Sequence, residues 1–286
     1  DGAIPLDEGG WETVSPSGIP AVSAVGPTRE LTSAEIEDTI TAFAAAARRA
    51  DEAGFDAVQI HGAHGYLIHQ FLSPVTNRRT DEWGGSFENR TRFVRRVTEA
   101  VRAVWPAEKV LGIRLSGSDW LQDSWGEQDT VTLVRELAGL GLDWVDVSSG
   151  GIGDTYPGPK GPAYQVPLAA AVRAGTADLA LGSGQGMLEN PGHDAGARRL
   201  FVSAVGAITD PELAESVLAE GRADAVDIGR AALVHPNWPV EAAESLGDGR
   251  YQELMAPAYH RGSWGRTSTP VRQQAPAEPV GAGTAG

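Results

Sequence analysis

The stretch Gly54-Phe55-Asp56-Ala57-Val58 recurs with variations as Gly141-Leu142-Asp143-Trp144-Val145 and as Gly221-Arg222-Ala223-Asp224-Ala225-Val226. Each copy closes a helical pattern and opens an apolar run. The glycine suits the left-handed residue that ends a helix, and the aspartate starts a short buried strand. Units of this kind repeated along a chain describe parallel βα repeats. Parallel strands need a crossover helix and are covered on both faces, so they read as apolar runs.

Working outward, the helical periods agree. From Thr32 to Glu52, Thr32 and Glu35 form a capping box, and Ile36, Ile40, Phe43 and Ala47 share one face. Phe93, Val97, Val101 and Val104 make a similar stripe from Ser86 to Val104, and Val131, Val134 and Leu137 do so from Asp129 to Leu140. Asp210-Pro211-Glu212 is a helix start with proline at the first helical position. Strands are expected at 56–61, 109–116, 143–148, 201–206 and 224–228. Residues 1–31 are rich in Gly, Pro and Ser and hold no strand candidate longer than Ala21 to Val25, so they form an irregular lead-in. The segment 176–200 is long for a connection in a compact α/β domain and reads as an insertion. The Pro/Ala/Gly-rich residues 265–286 are expected to be a disordered tail.

Composition narrows the class. The formal charge of −15 argues against a nucleic-acid partner, which would need a basic face. No stretch approaches the roughly 18–20 apolar residues of a membrane span, and residues 1–10 do not have the pattern of a signal peptide. Zero cysteines exclude disulfides and thiolate-held zinc or iron–sulfur clusters. A cytoplasmic protein is the default expectation.

Chemistry concentrates just past the strand Ala57-Val58-Gln59-Ile60, in His61-Gly62-Ala63-His64-Gly65-Tyr66. Two histidines three residues apart make a poor metal site without a third ligand, so no metal is expected. One of them can serve the loop alone. The sharper reading is a pair of donors converging on an electronegative substrate oxygen. Tyr66 is either packing with a bonded hydroxyl or a general acid beside those donors. Arg114 lies inside the apolar strand Leu111 to Leu115. It either pairs with a carboxylate or meets an anionic cofactor, and the second is favoured. Gly206, Gly229 and Arg230 follow the last two strands, where a barrel binds phosphate; the plainer reading is helix-capping glycines and a surface arginine.

The block 61–90, including Asn77-Arg78-Arg79-Thr80-Asp81-Glu82-Trp83-Gly84-Gly85-Ser86, resembles the substrate loop of the Old Yellow Enzyme family of flavin-dependent ene-reductases. The resemblance covers about residues 28–175 and 201–264. Tyr164-Gln165-Val166-Pro167 and Tyr259-His260-Arg261-Gly262-Ser263-Trp264 point to its thermophilic-like bacterial branch. It implies a (β/α)8 TIM-barrel fold, present here as strands 4 to 8 in a partial domain over 32–264, since about three further βα units precede this segment in the family. It implies FMN as cofactor and NADPH or NADH as reductant. His61 and His64 would hold the carbonyl or nitro oxygen of an activated alkene, and Tyr66 would protonate its α-carbon. Arg114 would face the flavin pyrimidine, and Gly206, Gly229 and Arg230 the phosphate. Arg261 resembles an arginine that reaches a neighbouring subunit's substrate site, which implies a homo-oligomer. Two other readings remain: a partial barrel that retains no FMN, and a phosphosugar-type barrel enzyme, which gives no reason for the His/His/Tyr loop.

Overall fold

The computed structural model describes residues 4–179 and 199–259. The chain divides into two compact units, one running to Pro236 and one beginning at Asn237. Arg261, the tail 265–286 and most of the expected insertion at 176–200 lie outside the described residues.

The lead-in contains two 3-10 turns, Leu6–Glu8 and Ser23–Val25, and two short strands, β1 (Val14–Ser15) and β2 (Arg29–Glu30), which pair in parallel. Within Ala21 to Val25 the chain makes the Ser23–Val25 turn, closed by Gly26 at φ +79 with its N–H donating to the Ser23 carbonyl. Arg79 ties this region down: its Nη1 donates to the carbonyls of Pro16 (2.7 Å) and Leu31 (2.6 Å), and its Nη2 pairs with Asp81 at 2.6 Å.

Next comes α1 (Ser33–Glu52), whose start is a capping box. The Glu35 N–H donates to Thr32 Oγ1, and the Thr32 N–H donates to Glu35 Oε2. Its buried face is Ile36, Ile40, Ala44 and Ala47, with Phe43 only half-buried. Then follow β3 (Ala57–Gly62), α2 (Leu67–Leu72), α3 (Phe87–Arg102), β4 (Val110–Ser116), α4 (Glu127–Gly139), β5 (Trp144–Ser148), α5 (Val166–Gly175), β6 (Phe201–Ala204), α6 (Pro211–Ala219), β7 (Ala225–Val226) and α7 (Arg230–Val234). The second unit holds α8 (Trp238–Ser245) and a 3-10 turn at Tyr251–Leu254.

Strands β3 to β7 form one parallel sheet in sequential order. Its register decides where the chemistry sits. Ile60, Ile113, Val145 and Val202 stand level on one face and are all buried. Each such side chain contributes about 1.5–3 kcal/mol when withdrawn from water. One residue along each strand, His61, Arg114, Asp146 and Ser203 stand level on the opposite face, because side chains alternate. The five expected strands are all present, but the last two are shorter than their apolar runs. The chain leaves β6 before Gly206, which has φ +127.

Among the described residues, the outer edge of β3 has no strand partner. Beside it runs a groove of about 510 Å3 lined by Phe43, Ala47, Ala50, Phe55, Val58 and Ile60, among others.

Candidate active site

His61 is the fifth residue of β3 and is exposed on the polar face of the sheet. The chain then turns sharply, with His64 at φ +58 and Gly65 at φ +75, and Tyr66 precedes α2. The His61 ring centroid lies 5.3 Å from that of His64 and 5.1 Å from that of Tyr66. Tyr66 is 62% exposed. The structure thus brings together three of the residues singled out from sequence.

The end of β4 and the loop after β5 hold this turn. The His64 N–H donates to Ser116 Oγ at 3.0 Å, and that hydroxyl donates to the Gly150 carbonyl at 2.8 Å. The backbones of Gly65 and Gly151 pack so closely that a Cβ on Gly65 would lie 2.0 Å from the Gly151 carbonyl oxygen. A Cβ on Gly151 would lie 2.1 Å from the His64 carbonyl carbon. Only glycine permits this approach, and both residues have positive φ.

His64 Nε2 is 2.7 Å from Ser148 Oγ, and Gln165 Oε1 accepts from Ser149 Oγ at 2.7 Å and from Ser148 Oγ at 3.2 Å. Burial, followed by the positive charge of Arg114, lowers the His64 imidazole to about 4, so the ring is neutral near pH 7. The same two causes, in the same order, lower His61. A neutral ring carries one N–H, and its position on His64 follows from the Ser148 bond.

Arg114 Nε lies 2.9 Å from Asp146 Oδ2. Of the two partners foreseen for Arg114, the structure contains the carboxylate. Burial and then the neighbouring Asp227 carboxylate push Asp146 up to about 7 against the pull of Arg114. Asp146 Oδ1 and Asp227 Oδ2 are buried without a donor, as expected where two carboxyls share a proton.

The phosphate-end candidates are less enclosed. Gly206 packs against Gln165, where a Cβ would meet Nε2 at 3.0 Å. Gly229 and Arg230 open α7 in exposed positions, and a Cβ on Gly229 would meet nothing within 4 Å.

Residues 7–160 match the model of the NADH:flavin oxidoreductase / NADH oxidase family. The chain belongs to this family. It is similar to the NADPH dehydrogenase of Geobacillus thermodenitrificans, with 42% identity over 88% of this chain and 66% of the relative. Curated relatives from another Geobacillus strain and from Clostridium acetobutylicum are each spanned over 62% of their length, so the chain covers just under two thirds of these proteins. Among solved structures, it resembles 2-naphthoyl-CoA reductase in complex with 2-naphthoyl-CoA, with a TM-score of 0.69 and 27% identity over 82% of this chain and 33% of that one. It also resembles morphinone reductase in complex with tetrahydroNAD, with a TM-score of 0.60 and 28% identity over 82% of this chain and 60% of that one. These neighbours are TIM-barrel reductases, and the five-stranded parallel sheet of this family member is consistent with part of such a barrel.

This family member also has a buried polar group that sequence reasoning missed. His69, on α2, accepts the Gly65 N–H at Nδ1 (2.9 Å), and its Nε2 lies 2.7 Å from Asp119 Oδ1. Both side chains are fully buried. Asp119 Oδ2 accepts from the hydroxyls of Ser73 (2.6 Å) and Ser124 and from the Trp125 N–H (3.3 Å). Burial alone would raise the Asp119 carboxyl, but the His69 contact and the two hydroxyls outweigh it and leave it lowered. A histidine inside the apolar run Leu67-Ile68-His69-Gln70-Phe71-Leu72 was a visible signal. Its partner, fifty residues further on, carried none.

Proposed function

We propose that this chain forms part of an FMN-dependent enzyme that reduces activated C=C bonds, in enones and nitroalkenes, with electrons from NADPH or NADH. The observation that carries this reading is the grouping of His61, His64 and Tyr66 on the sheet face that also presents Arg114. The residues suit a flavin. The Arg114 guanidinium is paired through Nε with the Asp146 carboxylate, and its Nη donors would face the electron-rich edge of the pyrimidine. Gly206, Gly229 and Arg230 would hold the phosphate, the glycines through close backbone approach and the arginine through charge. Bound FMN would supply the hydride, which goes to the β-carbon of the alkene. The nicotinamide derivative bound to morphinone reductase supports NADPH or NADH as the electron source.

The protein's own part is placement and proton supply. His61 and His64 donate hydrogen bonds to the carbonyl or nitro oxygen, polarising the alkene. The Ser148 hydroxyl has one proton, so His64 donates from Nδ1 when that proton turns from Gln165 Oε1 to His64 Nε2, and not while Gln165 holds it. Tyr66 Oη then delivers a proton to the α-carbon, within reach because the ring is exposed beside His61. The role of Arg261 at a neighbouring subunit's site, and the homo-oligomer it implies, rest on the sequence resemblance alone.

Tyr66→Phe tests the assignment. Alkene reduction should slow by roughly 10²-fold or more while flavin reduction by NADPH is kept. Parallel loss of both half-reactions would remove Tyr66 from the proton-donor role. A second reading, a partial barrel that retains no FMN, is supported by the free edge of β3 and its apolar groove, where an enzyme of this kind would need cover.

A further inference from the structure

We infer that His69 and Asp119 form a positioning pair that fixes the backbone of the substrate loop, and with it the directions of His64 and Tyr66. The inference rests on the proposed role of those two side chains as donors to the substrate.

Asp119 receives the hydroxyls of Ser73 and Ser124 and the N–H of Trp125 on Oδ2. Its Oδ1 and His69 Nε2 are buried, 2.7 Å apart, and neither has another partner. A proton must therefore lie between them, and a lowered carboxyl leaves it on the imidazole. His69 is then held as the Nε2–H form, which leaves Nδ1 as an acceptor pointing at the Gly65 N–H. That N–H belongs to the peptide between His64 and Gly65, in the middle of two consecutive left-handed residues. A second bond supports the same turn from α2, with Gln70 Nε2 donating to the Gly65 carbonyl at 2.7 Å.

A non-glycine residue at φ +58 is unusual, and it persists only where its surroundings over-determine it. Here the Ser116 hydroxyl takes the His64 N–H and His69 takes the next one. If either bond is lost, the peptide can rotate, swinging the His64 ring away from Ser148 and moving Tyr66, the next residue, relative to His61. His69 and Asp119 touch no substrate in this arrangement; they act through the peptide they hold.

The test uses the full chain labelled with 15N. In the wild type, the His69 ring should show a protonated Nε2 and an unprotonated Nδ1; a proton on Nδ1 would overturn the inference, because Gly65 could not then donate to it. Two variants separate the contacts. His69→Asn keeps an acceptor near the Nδ1 position but loses the donor to Asp119. His69→Gln keeps a donor near the Nε2 position but loses the acceptor for Gly65. Amide exchange at Gly65 should accelerate by about tenfold or more in His69→Gln and stay within about threefold of wild type in His69→Asn, given the cost of an unmade buried hydrogen bond. Phenol affinity of FMN-loaded protein should follow the same order. Equal acceleration in both variants would mean that His69 only fills space, and no change in either would mean that the bond does not hold the turn. If the chain takes up no FMN, the functional reading fails, while the Gly65 exchange still decides the positioning claim.

Discussion

The loops leaving β3, β4 and β5 are bonded to one another through buried groups, whereas the segment after β7 stands in the open. At the first end, His64, Ser116, Ser148, Gly150 and Gly151 interlock, with His69 and Asp119 behind them. At the second, β7 makes a two-residue ladder, Gly229 has free space around it, and Leu233 is 84% exposed. The contrast teaches which of the two proposed ends this chain holds in place by its own bonds. The loop proposed to meet the substrate is held by the protein's own hydrogen bonds and close packing. Gly229 and Arg230, proposed to meet the phosphate, stand exposed at the start of α7.

Paired glycine substitutions give the largest expected effect. Gly151→Ala drives a methyl group into the His64 backbone at a positive φ, and should cost about 3 kcal/mol or more of folding stability in chemical denaturation. Gly229→Ala should cost less than about 0.5 kcal/mol, since the methyl meets nothing. Equal losses would erase the distinction between the two ends.

Ligand binding sharpens the comparison next. Replacing His61 and His64 together with Ala should lower phenol affinity by about tenfold to a hundredfold, the worth of two hydrogen bonds. Unchanged phenol affinity would remove them from the oxygen-binding role. Arg230→Ala should leave stability within about 0.5 kcal/mol yet weaken FMN retention by about tenfold, from loss of one charge-assisted contact. FMN retention equal to wild type would make Arg230 a surface residue and no more.

A smaller effect lies in the pH dependence of stability, where two groups oppose each other. His64 is lowered from 6.5 to about 4, so the unfolded chain takes a proton that the folded chain refuses. Its contribution is complete above pH 6.5 and is lost as pH falls toward about 4. Asp146 is raised from 3.8 to about 7, so the folded chain keeps a proton that the unfolded chain has released. That contribution is complete below pH 3.8 and is lost as pH rises to about 7. Between about pH 4 and 6.5 the two slopes cancel in part. Asp146→Asn should unmask the His64 slope, so that stability climbs more steeply with pH across that window than in the wild type. An unchanged slope would mean that the Asp146 carboxyl holds no extra proton.

The parts of this architecture that were legible in sequence are those with local signals. The Gly–Asp repeats and the apolar runs located all five strands of the main sheet, because the glycine ends a helix and the apolar residues after it supply the buried face of the strand. The capping box at Thr32 marked the start of α1 because its two partners are three residues apart. Failures follow from the same logic. A two-residue ladder such as β1 with β2 has no period to read. The proximity of His61, His64 and Tyr66 was legible because all three lie on one turn. The partners of Arg114 and His69 were not, since Asp146 and Asp119 reach them only through strand register and loop packing.

The most direct test of the account is the visible absorption spectrum of the purified 286-residue chain, recorded after adding FMN and desalting. The account predicts a retained flavin band that NADPH bleaches and cyclohexenone restores. A colourless protein with a folded substrate loop would contradict it, and would assign the chain to a partial barrel whose site residues outlast its cofactor.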